Sequence, residues 1–146
     1  MPFVRTAISP DPLDVAGVIA QAADPSCGAV ASFVGTVRAT ASVTENAAKA
    51  VTELDYEAHP SLAPARLEEI AHEAATKWGL ERVVAIHRAG RCELGEPTVV
   101  IACGATHRAA ALEACQWLID ETKASVPIWK KEIYSDGSSW VGSEGA

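Results

Sequence analysis

The chain has 146 residues, 49% of them hydrophobic and 21% charged, which suits one domain with a real core and excludes a disordered chain. Its net charge of −7 excludes a general affinity for nucleic-acid phosphate but not a local basic pocket for one small anion. No apolar run approaches the roughly 20 residues of a membrane helix, and Met1 to Pro10 lack a basic region followed by an apolar stretch, so no membrane span, no secretory leader and a cytoplasmic location are expected.

Phe3 to Ile8 reads as a short strand. Asp11-Pro12 has the form of a helix start, since Asp caps and Pro suits the first helical position. Val15, Val18, Ile19 and Ala22 follow at helical spacing, and Asp24-Pro25 and Gly28 end that helix. Ala29 to Arg38 is a β-rich run with Gly35 inside it, a mark of a bulge or a close backbone approach. Ala39 to Lys49 is small, polar and aperiodic, and is expected to be a loop; a lid beside a site and an ordinary surface loop fit it equally.

Val51 to Ala58 alternates, with Thr52, Leu54, Tyr56 and Ala58 on the expected inner face and Glu53, Asp55 and Glu57 on the outer one. Ser61 is expected to cap the next helix, with Leu67, Ile70, Ala71, Ala74 and Trp78 as its buried stripe and Gly79 as its stop. Val83 to His87 is a strand, Glu93 to Pro97 a turn, and Thr98 to Cys103 an apolar run suited to a central strand. Thr106 is expected to cap a third helix running to about Lys123, with Leu112, Cys115 and Ile119 along its buried side. After Pro127, Ile128 to Tyr134 is strand-like, Asp136-Gly137 signals a hairpin into a short strand at Trp140, and the last residues fray. The pattern predicts an α+β fold, a mostly antiparallel sheet packed with three helices, as a single domain over residues 1–146.

None of Cys27, Cys92, Cys103 and Cys115 is spaced as CxxC, and no histidine sits at zinc-finger distance, so no metal site is expected. Cys103 and Cys115 lie in apolar stretches and read as small core residues, with a redox or metal role as the lesser alternative. Disulfides are not expected in a cytoplasmic protein.

The most informative stretch for chemistry runs from Thr106 to Lys131. His107 and Arg108 fall at the start of the third helix, where free N–H groups and the helix dipole already favour an anion. Two exposed surface residues fit that spacing as well. Lys123 closes the same helix and Lys130-Lys131 follow on the next strand, where Ile128, Lys130 and Glu132 share one face and Trp129 and Lys131 the other. Lys123 and Lys130 can therefore be neighbours, and paired ammonium groups lower each other's pKa. Without other evidence, three solvated surface lysines fit the pattern better. His59 and His72 read as surface or structural, and His87-Arg88 stays open. No glycine-rich phosphate loop, serine elbow or HExxH pattern occurs.

The segments GAVASFVGTVR (Gly28 to Arg38), LDYEAH (Leu54 to His59), IHRAGRCELGEPTVVIAC (Ile86 to Cys103), THRAAALEACQWLIDETK (Thr106 to Lys123) and PIWKKE (Pro127 to Glu132) together resemble the large, catalytic subunit of molybdopterin synthase, the MoaE family. The likeness runs from about Gly28 to Trp140. It implies an α/β hammerhead type of fold with a small β subdomain, assembled as a homodimer within a heterotetramer. It also implies a small ubiquitin-like sulfur-carrier subunit as partner, whose C-terminal Gly-Gly thiocarboxylate delivers sulfur to cyclic pyranopterin monophosphate without cofactor or metal. Lys123 and Lys130 then match the catalytic lysines. Arg38, His107 and Arg108 match the anion-binding set, part of it from the opposite protomer, Phe33 matches an aromatic lining the pocket, and Lys131 joins the substrate-binding residues. A non-catalytic anion-binding scaffold and a lysine Schiff-base enzyme are the competing readings.

Overall fold

The computed structural model describes residues 1–41 and 49–143. The chain order is β1 (Phe3–Ser9), α1 (Val15–Gln21), β2 (Ala29–Thr36), β3 (Val51–Ala58), α2 (Leu62–Trp78), β4 (Arg82–Arg88), β5 (Gly90–Glu93), β6 (Pro97–Ala105), α3 (Arg108–Ser125), β7 (Ile128–Tyr134) and β8 (Ser139–Ser143). The α+β expectation holds, but the strands form two sheets rather than one. The first has the order β1-β4-β6-β2 and the second β5-β3-β7-β8. All pairings are antiparallel except β1 with β4. The second sheet holds the place of the expected small β subdomain.

The first sheet is covered on both faces, which explains why β4 and β6 are continuous apolar runs. On one face Val84, Ile86, Val100 and Ala102 meet Val18 and Ala22 of α1. On the other, Val83, Ala85, Val99, Ile101 and Cys103 meet α2 and α3. Leu54, Tyr56, Ile128 and Tyr134 of the second sheet join that same core. Lys77 lies over the rings of both Trp78 and Trp117, at 4.6 and 5.6 Å, and Trp78 Nε1 donates to Glu113 at 3.2 Å, which locks α2 to α3.

Several local expectations change for identifiable reasons. Asp14, not Asp11, caps α1: its Oδ1 accepts from the Gly17 N–H at 3.0 Å. Ser61 makes no side-chain cap on α2; His59 Nδ1 accepts instead from the Ser61 and Leu62 N–H groups at 3.3 and 3.1 Å. A register shift between Val51 and Glu53 buries Val51 and exposes Thr52, while Leu54 and Tyr56 keep the inward face. Gly79 takes φ +60° as the αL stop of α2. The helix cap before α3 is His107 rather than Thr106. Residues 42–48 of the expected loop, and the last three residues, lie outside the described residues.

The β4–β5 corner turns on one buried side chain. Arg88 Nε donates to Glu96 at 2.8 Å, and its two terminal nitrogens donate to the carbonyls of Pro10, Ala89 and Arg91 at 2.8, 2.8 and 2.6 Å. Burial opposes the charge on Glu96, but the Arg88 hydrogen bond and the Glu93 N–H outweigh it and hold its carboxyl below the ordinary range. Because the folded-state pKa is depressed, this pair stabilises the fold above the ordinary carboxylate pKa and loses that contribution as pH falls through the folded value. Arg88→Ala leaves a carboxylate and three carbonyls without their donor, and should lower stability by about 3–5 kcal/mol in urea unfolding. The deficit should shrink below the titration of Glu96; an unchanged midpoint at neutral pH would contradict this account of the corner.

Candidate active site

β2 is an edge strand, and α3 packs along one face of it. Small side chains permit that approach: Ala31, Ala105, Ala111, Ala114 and Cys115 are all buried between the layers. The two elements run in the same direction. Gly28, before β2, sits with Thr106 to Ala109 at the start of α3, whereas Ala31 to Phe33 sit with Leu112 to Lys123 further along. A Cβ on Gly28 would collide with the Thr106 carbonyl oxygen, so this junction requires glycine.

An open groove of about 520 Å³ follows this seam, lined by Ala31, Ser32, Phe33, Leu112, Cys115, Gln116, Ile119, Asp120 and Lys123. Its walls are mainly apolar and Lys123 stands at one end. Phe33 and Lys123 are thus brought onto one surface. Leu112, expected on the buried side of α3, is 61% exposed on the groove's outer wall. Helical spacing could not separate a residue facing a core from one facing an open groove.

Arg38 lies just beyond the end of β2, where Val37 donates to the Glu96 carbonyl at 3.2 Å and accepts from the Gly95 N–H at 2.9 Å. Arg38 is exposed, at the same end of the β2–α3 seam as Lys123. His107 and Arg108 are at the other end. They border a separate hollow of about 470 Å³ with Gly28, Thr106 and Ala109. Arg108 precedes Lys123 by fifteen positions on one continuous helix. At 1.5 Å per residue the two positions stand about 22 Å apart, beyond the reach of side chains toward a common small ligand. One chain therefore does not bring all the expected cations together.

Lys130 occupies the inner face of β7, opposite Tyr56 of β3, and is 9% exposed. Two residues on, Glu132 shares that face at 2% exposure and accepts a hydrogen bond from Tyr134 Oη at 2.9 Å. Same-face residues two apart on a strand stand about 7 Å apart. Tyr56 meets His87 edge-on, with ring centroids at 5.1 Å. His87 Nδ1 lies 2.7 Å from the Arg88 carbonyl, which can only accept, so Nδ1 carries the proton. Lys130 is thus set in a buried polar strip with Tyr56, His87, Glu132 and Tyr134. Charges buried to this degree need compensation, and Lys130 and Glu132, of opposite charge, share one face two positions apart. Glu132 was visible in sequence as an alternating strand residue; its burial was not.

Lys131 lies on the opposite face of β7 from Lys130, exposed, and borders a shallow hollow with Asp55, Glu57, Trp129 and Val141. Its cross-strand neighbour is Asp55. No cluster of three or more His, Cys, Asp or Glu suited to a metal ion occurs among the described residues, and no helix among them is long and apolar enough to cross a membrane.

Comparison with known proteins bears on this arrangement. The family described as "MoaE protein" matches residues 8–125. The chain is 44% identical over 128 residues to the molybdopterin synthase catalytic subunit of Oryza sativa subsp. indica, covering 88% of this chain and 64% of that protein. It thus spans under two thirds of the rice relative's length. It is 41% identical over 140 residues to the protein of the same name from Halalkalibacterium halodurans, covering 96% of this chain and 86% of that one. Among solved structures, molybdopterin synthase from Staphylococcus aureus superposes with a TM-score of 0.82 at 30% identity, covering 96% of both chains.

The buried strip makes a specific claim about stability. Tyr134→Phe removes the donor to a carboxylate that water cannot reach, and should cost about 1–3 kcal/mol in chemical denaturation. A midpoint equal to wild type would show that the hydrogen bond to Glu132 does not hold the second sheet's inner face.

Proposed function

The chain belongs to the MoaE protein family, and on that premise we propose that it is the catalytic subunit of a molybdopterin synthase, a sulfurtransferase acting in the cytoplasm. Its substrates are the C-terminal thiocarboxylate of a small ubiquitin-like carrier and cyclic pyranopterin monophosphate. Two sulfurs pass in turn to the pterin and form the dithiolene. The observation that carries this reading is the β2–α3 groove ending at Lys123. It is open and mainly apolar along its length, the shape and chemistry that suit an extended Gly-Gly tail with its charge at the leading end.

In this mechanism the nucleophile arrives ready-made, since a thiocarboxylate is anionic at neutral pH. The protein's task is to hold two anions together, and cations lower that repulsion and raise the effective concentration of the reacting atoms. Lys123, at the groove's end, transfers a proton to the departing oxygen at the carbon being sulfurated. Lys130 lies near the carrier terminus, on a β7 face that it shares with Glu132 and Tyr134 and opposite Tyr56 of β3. Phe33 lines the path of the tail. Lys131 lies on the other face of β7 from Lys130.

Arg38, His107 and Arg108 bind the pterin phosphate. The helix length supports a shared site: with about 22 Å of helix between Arg108 and Lys123, His107 and Arg108 serve the site of a second copy. The working unit is then a homodimer with two composite sites, each with a carrier, and so a heterotetramer.

Lys123→Ala should abolish dithiolene formation from thiocarboxylated carrier and pyranopterin precursor, with the circular dichroism of the wild type; normal turnover would remove this lysine from the chemistry. Mixed dimers give a sharper test of composition. Lys123→Ala and Arg108→Ala chains should each be inactive as homodimers, yet their mixture should regain up to half of wild-type activity per heterodimer, because one site receives both native residues. No recovery on subunit exchange would place Arg108 and Lys123 in the same chain's site, or outside it.

A further inference from the structure

Lys123 stands in the last turn of α3, and a helix end is where backbone is held least firmly. The end of α3 has no left-handed glycine to close it. Val126, which follows, is extended, and its N–H reaches back to the Thr122 carbonyl at 3.2 Å. The same end carries Glu121, a negative charge at the pole where the helix dipole disfavours one. A turn of this kind frays when nothing outside the helix restrains it, and fraying would move Lys123.

α2 supplies the restraint. The two helices run antiparallel: Trp78, the last residue of α2, meets Glu113 and Trp117 of α3, and Arg66, near the start of α2, meets the last turns of α3. Arg66 Nε donates to Ser125 Oγ at 2.9 Å, and that hydroxyl donates its own proton to the Glu121 carbonyl at 2.8 Å. One terminal nitrogen of Arg66 lies 3.7 Å from the Glu121 carboxylate, and the other donates to Glu69 of α2 at 2.8 Å. The Arg66 side chain is 29% exposed, so water screens its ion pairs and their charge contributes little. The restraint comes from the planar fork, which holds Ser125, Glu121 and Glu69 in one fixed arrangement.

Helical geometry carries this restraint to Lys123. Glu121 and Ser125 are four positions apart and share one side of α3. At about 100° per residue, Lys123 between them points to the opposite side, the one that lines the groove with Leu112, Gln116 and Ile119. Arg66 thus grips the back of the turn whose front presents the lysine.

We propose that Arg66 is a positioning residue for Lys123: by tying Ser125 and Glu121 to α2, it fixes where the lysine stands at the end of the groove. The consequence for turnover rests on the functional reading above; the clamp between the helices does not. Arg66 lines neither the groove nor the hollow at the start of α3. Its loss therefore acts on the step that needs the lysine in place, and not on the binding of carrier or pterin precursor. Ser125 is the other half of the clamp, so removing either side chain releases the same turn.

Two readouts on the full-length protein test this. In peptide-resolved hydrogen exchange, Arg66→Ala should speed exchange of the amides from Thr122 to Val126 by about tenfold, the effect of losing one hydrogen bond of ordinary net strength, while β4 and β6 keep wild-type protection. In dithiolene formation from thiocarboxylated carrier and pyranopterin precursor, its kcat should fall by about ten- to a hundredfold with KM for both substrates unchanged, as for a reacting group misplaced by up to about 1 Å. Ser125→Ala should reproduce both changes, and the double variant should be no worse than either single one. Wild-type exchange at the end of α3 in both variants overturns the clamp. Faster exchange with unchanged kcat, or a raised KM with kcat intact, overturns the positioning role. If Arg66→Ala does not fold, Ser125→Ala decides both readouts. If the wild-type protein forms no dithiolene, the functional reading fails and the positioning role falls with it, while exchange still decides the clamp.

Discussion

The contact on which the rest depends is the close packing of α3 along the edge strand β2 and against β6. It is made possible by alanines and cysteines where larger residues would hold the helix away. That packing fixes the direction of α3 relative to β2, opens a groove along their seam and sets Lys123 at its end. It also sends the helix start, with His107 and Arg108, to the far side of the domain. Eighteen residues of unbroken helix act as a rigid spacer between two clusters of positive charge.

Under the proposed function, this spacing turns a problem of charge repulsion into one of assembly. On the proposed function, a domain of net charge −7 must gather cations to hold an anionic tail beside an anionic substrate. Separating the clusters within one chain avoids setting several cations against one another in the free subunit. In the proposed dimer, bringing them together across two copies makes the complete anion site a property of the assembly. The edge position of β2 and the exposed Leu112, Val30 and Val34 leave apolar surface near this seam.

The second sheet contributes by burial. Lys130 and Glu132 lie on the inner face of β7, where the Tyr134 hydroxyl donates to Glu132 and an amine shares the face with the acid. Such a strip fixes the direction of a long flexible side chain that would otherwise sample many rotamers. The Arg88 network performs a comparable task at the β4–β5 corner, where one guanidinium ties an acid to three backbone carbonyls. Both features place polar groups inside a largely apolar core.

Much of the fold was legible in the residues. Apolar periodicity gave the three helices, seven of the eight described strands and the Gly79 and Asp136-Gly137 turns, because period and turn chemistry are local. The four-residue strand β5 escaped notice because Gly90 to Glu93 carries one buried side chain and gains its identity only by pairing with β3. Asp14 displaced Asp11, and His59 displaced Ser61, because capping depends on where the chain enters the helix and not on residue type alone. The sequence by itself determined the α+β class, the family resemblance and the alternation that parts Lys130 from Lys131. Tertiary structure decided that Leu112 borders a groove instead of a core, that Glu132 and Tyr134 support the strip around Lys130, and that the cations at the two ends of α3 cannot meet within one chain. The physical reason is the same in each case: spacing along a chain fixes which residues share a face, but only packing fixes what that face meets.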